Sequence, residues 1–154
     1  MSTVHLAFTP DPAYVRTVRL VAAAVARRAG VPDDLLDEVR LAIGEACTRA
    51  VALHRRHGLP DMIDIAMSDG GQFTVCVTDR GPVEEAHNEP GEVTGAIIAQ
   101  VAAEISGRLS VDEDITVGVG LALLTGLVEE LQVTAGWDGT GTEVRMSWPV
   151  YRRA

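Results

Sequence analysis

Two segments, MIDIAMS (62–68) and QFTVCVT (72–78), alternate apolar and polar residues on either side of Asp69-Gly70-Gly71. A period of two around a turn that tolerates positive φ specifies a β-hairpin with one apolar face. That face must be covered, and the chain before it supplies the cover. TPDPAYVRTVRLVAAAVARRAG (9–30) carries Asp11 as an N-cap, Pro12 at the first helical position and Gly30 as a stop, with Val15, Val18, Val21 and Ala22 at helical spacing. VPDDLLDEVRLAIGEACTRAVALHRRHG (31–58) has Asp33 or Asp34 as its cap, basic residues in its last turn and Gly58 after it.

TVHLAF (3–8) reads as a strand ahead of both helices, and LQVTAGW (131–137) and TEVRMSW (142–148) as a second hairpin around Asp138-Gly139-Thr140-Gly141. Between the hairpins, DRGPVEEAHNEPGEV and SVDEDITVG are loop-like, while TGAIIAQVAAEISGRL (94–109) and GVGLALLTGLVEEL (118–131) have helical spacing. The order β-α-α-β-β-loop-α-α-β-β predicts an α+β, two-layer sandwich with a mixed, mostly antiparallel sheet and helices on one face. A chain of 154 residues is long enough for one domain, 1–154, and short for two.

Charge narrows the partners. With 22 acidic against 13 basic residues, the formal charge of −9 opposes phosphate backbones and anionic lipid, so direct nucleic-acid or membrane binding is not expected. The first residues lack a basic region followed by an apolar one, and no apolar run reaches membrane-spanning length, so a cytoplasmic location is expected. Cys47 and Cys76 sit in apolar patterns without metal-ligand spacing and read as buried free thiols. His54 and His57 end the second helix, where an imidazolium complements the dipole.

Within that helix, GEACTRAV (44–51) sets Glu45 and Arg49 four residues apart. Counted at 100° per residue, both fall on the face turned away from Leu36, Val39, Ile43, Ala46, Cys47 and Ala50, at a spacing that also suits an ordinary i, i+4 ion pair. Three distant pieces add chemistry. Asp79-Arg80-Gly81 ends a strand with an acceptor-only carboxylate and a glycine that admits a flat ligand, which suits a purine amino group. Gly118-Val119-Gly120-Leu121 opens a helix whose free N–H groups attract phosphate. Gly141-Thr142 begins the last strand with a hydroxyl.

This set, in this order, resembles the GHKL (histidine kinase-like ATPase) superfamily, and within it the small anti-sigma factor/serine kinases of the general-stress and sporulation type. The resemblance implies a Bergerat-type ATP-binding fold, with ATP or ADP as cofactor. It makes Glu45 the catalytic carboxylate, Asp79 the adenine acceptor, and Gly81, Gly118, Gly120, Leu121 and Thr142 nucleotide-binding residues. It makes the 81–118 segment an ATP lid. The partners it implies are a sigma factor, a STAS-type anti-sigma factor antagonist and a second copy in a homodimer, with Arg16 of the first helix as a partner-binding residue; Arg19, one turn later, extends the same basic strip on an otherwise acidic chain.

Two positions depart from the family: Val83 in DRGPVEE stands where a small residue is often found two places beyond the motif glycine, and the second lies in the helix motif. The family's helix motif reads E-A-x-T-N, with Asn holding Mg²⁺, whereas EACTR has Arg49 there. Arg has no lone pair for a metal, so no metal ligand is expected at this position. Two outcomes stay open for Arg49: contact with the phosphates in place of the ion, or a pair with Glu45 that closes the site. Three functions stay open with them: an anti-sigma factor with serine kinase activity, a degenerate relative that binds partners without phosphoryl transfer, and an ATPase or histidine-kinase-type catalytic domain.

Overall fold

The computed structural model describes residues 2–81, 128, 130–135 and 141–151. Five strands, β1 (Thr3–Phe8), β2 (Ile63–Ser68), β3 (Gln72–Asp79), β4 (Glu130–Ala135) and β5 (Thr142–Pro149), form one sheet in the order β1-β2-β3-β5-β4. Two helices precede β2: α1 (Val15–Ala29) and α2 (Leu36–Arg56). The expected α+β architecture is present, with one change. Every described strand pair is antiparallel, so the sheet is not mixed among the described residues.

Alternation decides which face is buried. Ile63, Ile65 and Met67 of β2, Phe73, Val75 and Val77 of β3, and Val144, Met146 and Trp148 of β5 all point into one core. Register keeps them on one face, because Ile65 lies opposite Val77 and Val75 opposite Met146. From the helices, Val18, Ala22 and Ala26 of α1 and Val39, Ile43, Ala46 and Ala50 of α2 complete that core. Small side chains on α1 and α2 let the helices approach each other and the sheet closely.

The helix ends follow the sequence in part. Asp11 Oδ1 accepts from the Ala13 N–H at 2.9 Å and caps a short 3₁₀ turn, Pro12–Tyr14, that leads into α1. Gly30 stops α1 in the left-handed region, its N–H donating to the Ala26 and Arg27 carbonyls. At α2 the expected cap is absent. Asp33 and Asp34 lie inside a second 3₁₀ turn, Asp33–Leu35, whose N-cap is Pro32, and no side chain makes a capping bond. The two acids instead place negative charge near the positive end of the helix.

Strand β4 begins at Glu130, where helical spacing had been expected to run on to Leu131. Cross-strand pairing with β5 sets this boundary. The turn at 69–71 forms without a positive-φ glycine; those among the described residues are Gly30, Gly58 and Gly141. Asp69 is held from outside the turn, accepting from the Ser2 N–H and hydroxyl.

No helix among the described residues is long and apolar enough to cross a membrane. Both cysteines are free, Cys47 buried and Cys76 only half-buried. Burial pushes the Cys47 thiol up to about 12. Burial, then a hydrogen bond to Glu143 and its charge, raise Cys76 to about 11.

Candidate functional site

The site is built where the middle of the sheet meets α2. In β3 the alternation that buries Phe73, Val75 and Val77 also turns Asp79 inward, and its residue is 1% exposed. A carboxylate in such a place needs partners, and it has two. Oδ1 accepts from the Gly81 N–H at 2.9 Å, and Oδ2 accepts from Arg49 Nη1 at 2.9 Å.

Arg49 is therefore not on a solvated face. Its side chain is 1% exposed and paired with Asp79, 30 residues away, rather than with Glu45. Of the face it was assigned to, Leu41 and Thr48 are exposed and Glu38, Glu45 and Ala52 partly so, whereas Ala42 and Arg49, at the edge of that face, are buried. The helical count fixed the angle of Arg49 correctly and gave that direction the wrong environment. The guanidinium Nε and Nη2 have no hydrogen-bond partner among the described residues, and neither does the buried hydroxyl of Thr142.

The backbone around Asp79 is tightly held. Gly81 lies against the side chain of Leu53, which occupies the place a Cβ would take. Thr142 is the register partner of Asp79, and Gly141 sits against the Asp79 carbonyl. His54, fully buried, accepts from the Arg80 N–H through Nε2 at 2.9 Å. Its Nδ1 lies 3.1 Å from the Asp61 carbonyl and is left as the donor. With Nε2 accepting, the ring clamps the Asp79-Arg80-Gly81 backbone, a role other than the interaction with the helix dipole expected at a helix end. No group of three or more metal-ligating side chains occurs among the described residues.

Glu45 stands apart from this cluster. It is half-buried, and burial raises its carboxyl above the ordinary value, with the positive charge of Arg19 offsetting part of the rise. The Arg19 stem passes Gly44, where a Cβ would meet its Cδ at 3.0 Å. A carboxyl with a raised native pKa binds more protons folded than unfolded between the two values, so its contribution to stability falls as pH rises through that window. Glu45→Gln cannot titrate. Its stability relative to wild type is expected to rise from the ordinary value of 4.5 upward and to level off above the native one. Urea midpoints across about pH 4 to 8 measure this, and a constant difference would contradict the desolvation of Glu45.

Of the residues singled out by sequence, the structure gathers Arg49, Asp79, Gly81 and Thr142 at one place and sets Glu45 one turn back along α2. Gly118, Gly120 and Leu121, the phosphate-binding candidates, lie outside the described residues. Leu53 and His54 were missed as site residues; the signal for His54 was a histidine one turn after Arg49 in a helix of small apolar residues.

Residues 8–148 match the family model of the histidine kinase-like ATPase domain. The chain belongs to that family. Among curated proteins, it is 25% identical to the serine-protein kinase RsbW of Bacillus velezensis and 26% identical to that of Bacillus pumilus, each over 94% of this chain and 83% of the relative. The serine-protein kinase RsbW of Bacillus cereus is 24% identical over 78% of this chain and 69% of the relative. The family match, residues 8–148, includes the Arg49 and Asp79 positions.

Proposed function

We propose that this chain is an anti-sigma factor: it sequesters a bacterial sigma factor and is opposed by a STAS-type antagonist. The observation that carries the reading is a groove of about 390 Å³ between the start of α1 and the end of α2. Arg16, Arg19 and Arg55 line it together with Val15, Val51 and Ala52. On a chain of formal charge −9, three guanidinium groups beside an apolar floor select an acidic, partly apolar protein surface. The family membership and the RsbW relatives support the same reading.

Serine kinase activity on the antagonist is slow or absent in this reading. Glu45 remains as the carboxylate, but Arg49 replaces the metal-holding amide that the resemblance leads one to expect. A partner-binding protein without phosphoryl transfer fits the buried Arg49–Asp79 pair better than an ATPase or a histidine-kinase-type catalytic domain does.

Arg16→Ala and Arg16→Glu test the surface. Both variants are expected to fold, because Arg16 is exposed, and to bind sigma factor and antagonist more weakly, Glu more so than Ala. Binding titrations with circular dichroism as the folding control decide it. Folded variants that hold both partners as tightly as wild type place the interface elsewhere.

A further inference from the structure

We propose that Arg49 is an internal occupant of the adenine subsite, so that this chain has no appreciable affinity for adenine nucleotides and holds its partners without them. The inference deepens the reading above. It rests on the assignment of Asp79 as the adenine acceptor and not on which partner is bound.

An adenine ring is recognised by an acceptor that takes its amino N–H while the flat ring lies against adjacent backbone. Both requirements are already met from inside the protein. Arg49 offers a planar group bearing N–H donors, and Nη1 occupies Asp79 Oδ2 at 2.9 Å. The second oxygen accepts from the Gly81 N–H at 2.9 Å. The close approach that Gly81 allows is used by Leu53. A neutral amino group entering here would displace a charged donor from its counter-ion, and would strip the Arg49 guanidinium of its one hydrogen bond among the described residues.

A nucleotide does find one suitable feature, the unpartnered Thr142 hydroxyl. A hydroxyl can serve many ligands, however. The two positions that would discriminate for Mg-ATP, the adenine acceptor and the metal amide, are the two that do not fit.

The test is equilibrium binding of ADP to the full chain, with and without Mg²⁺, for wild type, Arg49→Asn and Arg49→Gln, each checked by circular dichroism. Wild type is expected not to bind ADP in the micromolar range. Arg49→Asn, which frees Asp79, should bind roughly tenfold tighter or more, the factor that one charge-assisted hydrogen bond supplies. Arg49→Gln removes the charge, so that an adenine amino group no longer has to separate an ion pair, and serves if the Asn variant does not fold; it too should gain ADP binding. Micromolar binding by wild type overturns the proposal whatever the variants do, and so does a folded variant that binds no better than wild type. Partner affinities do not enter these measurements, so failure here leaves the anti-sigma reading standing, and a failed Arg16 test leaves this one standing.

Discussion

Arg49→Met is expected to destabilise the folded chain by about 3–5 kcal/mol, because it removes one partner of a buried ion pair and leaves the other charged. Asp79 would keep the Gly81 N–H but lose its counter-ion in a place where water does not reach it. The magnitude separates two arrangements of the same residues. An exposed i, i+4 pair with Glu45 would contribute about 0.2–0.5 kcal/mol, close to the error of a denaturation curve. A buried pair with Asp79 would shift the thermal midpoint by roughly 6–20 °C in a chain of this size. Asp79→Asn alone should also be costly, since it strands the guanidinium. The double variant Arg49→Met with Asp79→Asn should recover most of the loss, because neither charge is then left unpaired. An Arg49→Met protein within about 1 kcal/mol of wild type, or a double variant as unstable as the sum of the singles, would rule the pair out as a major contributor.

The same pair marks the limit of what the sequence could disclose. The period-two runs of β2, β3 and β5 and the helical run of α1 depend on local spacing and need no knowledge of neighbours, so they are legible directly. The extension of β3 was legible too. In QFTVCVTD the inward set is Phe73, Val75, Val77 and then Asp79, so parity alone buries an acid and demands a cation for it. What spacing does not carry is which cation. Arg49 and Asp79 meet because α2 lies across the end of β3, a tertiary fact without a local signature. The polar face assigned to α2 holds at Leu41 and Thr48 and fails at its edge, at Ala42 and Arg49, for the same reason. A helix enclosed by a second helix and a sheet has apolar neighbours in most directions, and a wheel assumes one. The clamp by His54 was hidden because its acceptor nitrogen serves a backbone N–H in a distant loop, and any residue but proline could provide that group.

Gly141→Ala is expected to cost about 2–5 kcal/mol, the sum of two penalties that neighbouring glycines allow to be separated. Gly141 has φ +75°, a conformation that L side chains rarely adopt, and a Cβ there would overlap the carbonyl oxygen of Asp79. That neighbour is backbone in a strand paired along its length, so it cannot swing aside as a side chain end would. Gly58, at φ +61°, has nothing within 4 Å of its would-be Cβ and isolates the conformational part, about 1–2 kcal/mol. Gly71 has neither positive φ nor a neighbour, and Gly71→Ala should be neutral or stabilise by up to about 1 kcal/mol through the unfolded chain. The excess of Gly141→Ala over Gly58→Ala then measures the close approach of β5 to the Asp79 carbonyl. Relief of the overlap must push apart the Asp79 and Thr142 ends of β3 and β5, and with them the carboxylate that Arg49 and the Gly81 N–H hold. Amide exchange at Gly81 should therefore accelerate in Gly141→Ala and stay as in wild type in Gly58→Ala. If urea denaturation finds Gly141→Ala no less stable than Gly58→Ala, the two strands do not approach as closely as described, and the rigid seat of Asp79 has another origin.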